Sequence, residues 1–114
     1  MAENPETALT RKIMKALRDE GCWAVKFPGG AFSTTGVPDI VGVRGDGRFI
    51  AVEVKLPYPS KHNVSKIQAK RIREIREHGG RAGVACSVED ALWVIRGEYE
   101  RCQRENEVNK KPVD

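Results

Sequence analysis

The sequence predicts an α/β protein, a mixed central sheet of about four strands flanked by helices, in the order helix, three strands, helix, strand, helix. Three observations predict it. Apolar residues recur at helical spacing in Leu9, Ile13, Ala16 and Leu17, and again in Val64, Ile72 and Ile75. Four short runs rich in branched or aromatic residues read as strands: Cys22 to Phe27, Ile40 to Arg44, Arg48 to Lys55 and Arg81 to Cys86. The second and third runs are joined by Gly45-Asp46-Gly47, a hairpin turn signal, whereas a whole helix separates the third and fourth. A helical crossover joins parallel strands, so the sheet is mixed, with the hairpin at or near its centre.

Each element has a local reason. Asn4 is the expected cap of the first helix and Pro5 its first residue, where a missing N–H costs nothing. Gly21 ends that helix. Pro28-Gly29-Gly30 opens a polar loop running through Ser33-Thr34-Thr35-Gly36, and its glycines and hydroxyls suit close approach to a phosphate as well as a plain connection. Leu56-Pro57-Tyr58-Pro59 cannot continue a central strand, because proline removes ladder donors. The second helix runs from about Val64 to His78 and stops at Gly79-Gly80. Ser87 caps a third helix starting at Val88, which the polar sequence beyond Arg96 allows to run to about Glu105. Residues 1–105 are expected to form one domain and residues 106–114 a flexible tail.

A chain of 114 residues with 39% hydrophobic and 32% charged content suits one soluble domain. The net charge of +4 and pI near 9.1 permit a polyanionic partner. Lys61, Lys66, Lys70, Arg71, Arg73 and Arg76 crowd one segment, readable as a solvated helix face or as a phosphate-contacting one. Three cysteines, Cys22, Cys86 and Cys102, without CxxC spacing argue against a disulfide framework and a zinc site. They fit a reducing compartment, and no apolar run approaches the ~20 residues that span a bilayer. A soluble, cytoplasmic protein is expected. Trp23 and Trp93 read as core or edge packing, and Cys22 and Cys86 as buried thiols.

The chemistry concentrates on the hairpin. Asp39 follows Pro38 at the entrance of its first strand, and Glu53-Val54-Lys55 closes its second. Glu53 and Lys55, two residues apart, project from one face, and Val54 projects from the other. With the hairpin centred on Asp46, Asp39 stands opposite Glu53; a two-residue Asp46-Gly47 turn would place it opposite Val54 instead. Two opposed carboxylates repel unless a cation lies between them. Two acids, a lysine and the Val54 carbonyl are the groups that metal-assisted phosphodiester hydrolysis needs. Lys55 would orient or deprotonate the water, or neutralise charge on the phosphate. Taken alone, Asp39 also reads as a turn acid, and Glu53 with Lys55 as a structural pair. Gln68 lies on the apolar stripe of the second helix, placed to position Lys55 or the water, or else to bond a loop carbonyl. Glu6, in the first turn of its helix, complements the dipole there in the simplest reading.

These residues carry a resemblance. Gly36-Val37-Pro38-Asp39, Phe49 to Lys55, Ser65 with Gln68, and Gly79-Gly80 before the last strand resemble the PD-(D/E)XK nuclease superfamily. The chain most resembles its VRR-NUC branch, which is similar to Holliday-junction resolvases. The resemblance implies a restriction-endonuclease-like core of order αβββαβα and a metal-dependent, structure-selective DNA endonuclease, with a Holliday junction among the expected substrates. It implies Mg2+ or Mn2+ at Asp39, Glu53 and the Val54 carbonyl, with Lys55 at the water, Gln68 in support and Glu6 at the metal through water or at a second ion. Branched DNA and a second copy of the chain are the partners implied, in a phage or bacterial host cell and a repair role. Contacts to the nucleic acid are expected from Lys26, Ser33, Thr34, Lys61, Lys66, Lys70 and Arg73. The alternative is a non-catalytic nucleic-acid-binding domain, in which Glu53 and Lys55 form a structural pair.

Overall fold

The structure is a computed structural model that describes residues 3–28, 35–57 and 63–109. Helix α1 spans Pro5–Asp19 and leads into strand β1, Trp23–Lys26; strands β2, Ile40–Val43, and β3, Phe49–Val54, follow. Helix α2, Lys66–Glu77, crosses over to strand β4, Arg81–Ala85, and helix α3, Val88–Arg96, comes next. A 3-10 turn, Tyr99–Arg101, and a short helix α4, Glu105–Val108, close the described chain.

The expected caps are in place. The Asn4 side chain accepts from the Thr7 N–H at 2.8 Å, and the Ser87 hydroxyl accepts from the Asp90 N–H at 3.0 Å. The sheet order is β1-β2-β3-β4, antiparallel until the final parallel pair. Ile40 pairs with Val52 and Val41 with Ala51, the register of a hairpin centred on Asp46 rather than the slipped one.

Strand β3 is buried on both faces. On one, Ile50, Val52 and Val54 pack with Ile40, Ala24, Ile13 and Leu17 of α1, and Ala91, Val94 and Ile95 of α3. On the other, Ala51 packs with Ile72 of α2, Ala82 and Val84 of β4, and Val108 of α4. The helices leave part of this second face bare. Trp23, Val43 and Phe49 are direct cross-strand neighbours there, and they are 65%, 38% and 44% exposed.

Four expectations are corrected. Helix α3 does not run to Glu105: Gly97 adopts φ 78°, the left-handed cap that ends a helix. Residues 106–109 are not a flexible tail, because Val108 is fully buried in the second core and α4 packs on α2. Helix α2 begins at Lys66, since Ser65 is its cap. Trp23 lies on an edge strand but is mostly solvent-exposed rather than packed. Cys22, Cys86 and Cys102 are free, buried thiols. Burial pushes all three thiols upward, Cys102 to about 12.

Candidate active site

Strand alternation builds the site. Ile40 and Val52 face α1 and α3, so Asp39, Glu53 and Lys55 turn toward α2 at the same end of the hairpin. Gly36 is the hinge of the approach to Asp39. Its φ is 84°, and a Cβ there would lie 2.8 Å from Ile67 of α2, so only glycine lets the chain lie this close. The Thr35 carbonyl is held against the helix by the Arg71 Nε donor at 3.2 Å. Pro38 is fully buried, and the Asp39 carbonyl accepts from the Phe27 N–H at 2.6 Å.

Asp39 closes back onto β3, where its Oδ2 accepts from the Val54 N–H at 3.0 Å. The Val54 side chain is buried in the α1–α3 core, as the alternation requires. Glu53 is 3% exposed, and its Oε2 has two neighbours. Lys55 Nζ lies 3.5 Å away, and Gln68 Nε2 donates at 2.9 Å. Its Oε1 is buried with no hydrogen-bond partner among the described residues. Burial first, and then the Asp39 charge, push the Glu53 carboxyl up to about 7, against the pull of Lys55 and the Asp39 backbone. A buried carboxylate with an unpartnered oxygen beside a second carboxylate is short of positive charge, and a hard divalent cation supplies it. The donor set of Asp39 and Glu53 therefore fits a hard divalent cation.

Gln68 meets the cluster at Glu53. Its amide touches Glu53, not Lys55. The Ser65 hydroxyl accepts from the Gln68 N–H at 3.2 Å, while Gln68 Oε1 accepts from the Ser65 N–H at 3.0 Å. This capping box fixes the amide so that its Nε2 aims at Glu53. The Ser-x-x-Gln spacing at 65–68 is the sequence signal for it.

Among the described residues, no other expected residue bonds directly to this cluster. Glu6 is half-buried on α1, and no hydrogen bond or ion pair joins it to Asp39, Glu53, Lys55 or Gln68. Among the described residues, no group of three or more His, Cys, Asp or Glu gathers in a metal-binding arrangement. Lys26 pairs with Ile40 and so belongs to the α1 face, where it lines an open groove of about 600 Å³ with Thr10, Arg11, Lys15 and Arg18. Lys66 and Lys70 are exposed on α2. Arg73 is half-buried and donates to the Val108 carbonyl at 2.8 Å, so its guanidinium holds α4 rather than lying open to a phosphate. Ser33, Thr34 and Lys61 lie outside the described residues.

The family model for the archaeal Holliday junction resolvase (Hjc) matches residues 4–110, nearly the whole chain. The chain belongs to the archaeal Holliday junction resolvase family. It is thus a structure-selective DNA endonuclease, with divalent-metal dependence general to that family. Two solved structures agree with this resolvase-type fold. A VRR_NUC domain superposes with a TM-score of 0.62 at 20% identity, covering 80% of this chain and 94% of that one, and shows the fold. A Holliday junction resolvase from Archaeoglobus fulgidus, an archaeal hyperthermophile, gives a TM-score of 0.54 at 28% identity, covering 69% of this chain and 65% of that one. No curated protein sequence matches the resolvase-family chain.

Proposed function

We propose that this resolvase-family protein hydrolyses phosphodiester bonds of branched DNA, the four-way junction included, with Mg2+ or Mn2+ held by Asp39, Glu53 and the Val54 carbonyl. One observation carries the reading: a buried glutamate with an unpartnered oxygen, flanked by a second acid and a lysine. When bound, such an ion lowers the pKa of its water and neutralises phosphate charge. The chain's own residues do the rest. Asp39 is oriented by the Val54 N–H, and Glu53 by the Gln68 amide. Lys55, only 14% exposed, presents its ammonium at the Glu53 carboxylate, where it meets the water or the charge developing on the phosphoryl oxygens. Gln68 is a positioning residue acting through Glu53. Glu6 takes its role in the family scheme through a water or a second ion.

Lys26, Lys66 and Lys70, with Ser33, Thr34 and Lys61, are the proposed contacts to the DNA backbone. Arg11, Lys15 and Arg18 add positive charge along the α1 groove. A homodimer is supported by the bare apolar face of Trp23, Val25, Val43 and Phe49, which a second copy would cover. Among the described residues no helix is long and apolar enough to cross a membrane. The setting proposed with this function is the cytoplasm of a phage-infected or bacterial cell, in a repair role.

Cleavage of labelled junction, flap and duplex DNA with Mg2+, Mn2+ or EDTA tests the proposal. The expected result is metal-dependent cutting of branched substrates, lost in Asp39→Ala. Salt-dependent binding without cleavage under any condition would establish the non-catalytic alternative.

A further inference from the structure

We propose that the C-terminal segment positions the active site, with Arg104 and Glu107 clamping the two stems of the 56–64 connection and so setting Lys55 against Gln68. This rests on the nuclease reading above. Lys55 leaves β3 at one end of that connection, and Gln68 enters α2 at the other. The two residues meet on one oxygen of Glu53. Anything that lets the stems drift separates them.

Arg104 is 1% exposed, among the most buried side chains in the molecule. Its Nη2 donates at 2.8 Å to the carbonyl of Leu56, the residue after Lys55. Its Nη1 lies 3.7 Å from Glu107 Oε2. That same carboxylate oxygen accepts, at 3.4 Å, from the N–H of Val64, the residue before the Ser65 cap. One ion pair therefore touches the exit of β3 and the entry to α2. On its other side Lys55 is held by β4, where its N–H donates to the Ala85 carbonyl at 3.1 Å.

The clamp has a rigid mounting. Arg76 of α2 grips Glu105 through both terminal nitrogens, at 2.8 and 3.0 Å, and stacks 3.6 Å over the Tyr99 ring. Arg73 holds the Val108 carbonyl, and Val108 is fully buried. Covering the core needs only apolar residues, and a buried guanidinium is costly unless its bonds are specific. Here the guanidinium bonds the Leu56 carbonyl, next to Lys55, and its partner Glu107 takes the Val64 N–H, next to the Ser65 cap of α2. A misplacement of ~1 Å at a reacting group costs on the order of a hundredfold in rate.

The test compares Arg104→Met, Arg104→Lys, Glu107→Leu and Glu107→Gln in the full chain, with Ile72→Val as a control for lost stability alone. Steady-state cleavage of a four-way junction gives kcat and KM, and amide hydrogen exchange reads Lys55, Leu56 and residues 64–68. Arg104→Met and Glu107→Leu are expected to lower kcat about ten- to a hundredfold with KM within about threefold of wild type. Faster exchange should be confined to the two stems. Arg104→Lys and Glu107→Gln, which keep a donor and an acceptor, should recover most of the rate. Unchanged exchange at the stems overturns the clamp whatever the activity. So does a kcat within twofold of wild type, a loss lying in KM, or a loss that Ile72→Val reproduces at an equal folded fraction. Absence of cleavage by the wild-type protein sinks the nuclease reading and the catalytic role together, while the exchange pattern alone still reveals a mechanical clamp.

Discussion

Glu53→Gln is expected to stabilise the metal-free protein at pH 8 while abolishing cleavage, because the charge that serves the site is costly to bury. The Glu53 carboxyl is raised from its ordinary 4.5 to about 7, chiefly by burial and then by Asp39. Below pH 4.5 it is protonated in both the folded and the unfolded chain. Between pH 4.5 and 7 only the unfolded chain ionises, so stability falls as the pH rises, and above pH 7 it stays lowered. The displacement from 4.5 to about 7 corresponds to about 3 kcal/mol. Glutamine at this position keeps an acceptor for Gln68 and carries no charge. For a domain of this size that is roughly 10 °C in Tm at pH 8, and little at pH 4.5. The assay is thermal unfolding of wild type and Glu53→Gln in EDTA across this pH range, repeated with Mn2+. Mn2+ should raise the Tm of wild type at pH 8 and leave that of Glu53→Gln unchanged. Equal stabilisation of the variant at both pH values, or none at either, would refute the argument, since both outcomes mean that the Glu53 charge is not what costs stability.

Lys55→Gln should lower kcat about a hundredfold or more while leaving metal-free DNA binding nearly intact, measured by single-turnover cleavage and by fluorescence anisotropy in EDTA. Ser65→Ala should cost about 1 kcal/mol through loss of the cap, and should also slow cleavage because Gln68 loses its fixed amide; Gln68→Ala should slow it further, and equal rates for wild type and both variants would count against the capping box as the orienting device. Trp23→Glu should convert a dimer to a monomer in sedimentation without lowering the Tm, because Trp23 is 65% exposed in the single chain; a monomeric wild type removes the dimer reading.

Much of the site was legible because it is local. The Asp39–Glu53 opposition was one of two registers that the Gly45-Asp46-Gly47 turn allows, and the shared face of Glu53 and Lys55 follows from strand alternation. Caps at Asn4 and Ser87 are likewise read from neighbours a few residues apart. Gln68 was legible as a polar residue on an apolar stripe, yet its partner was not, because the Ser65 box decides where the amide aims. Arg73 shows the converse. On sequence it is one more cation on a basic helix, and only the docking of α4 turns it inward to Val108.

The sequence by itself determined the order of elements and the carboxylate–lysine set and narrowed the hairpin to two registers, since these depend on periodicities of two and 3.6 residues and on turn chemistry within a few positions. The tertiary structure alone decided which of the two registers the hairpin takes, that Glu53 is buried with an oxygen unpartnered among the described residues, and that the polar C-terminus is a packed element reaching Leu56 and Val64. Those facts depend on which surfaces meet across the fold. A buried arginine and an exposed one have the same sequence signature; what surrounds Arg104 is set by chain some fifty positions away.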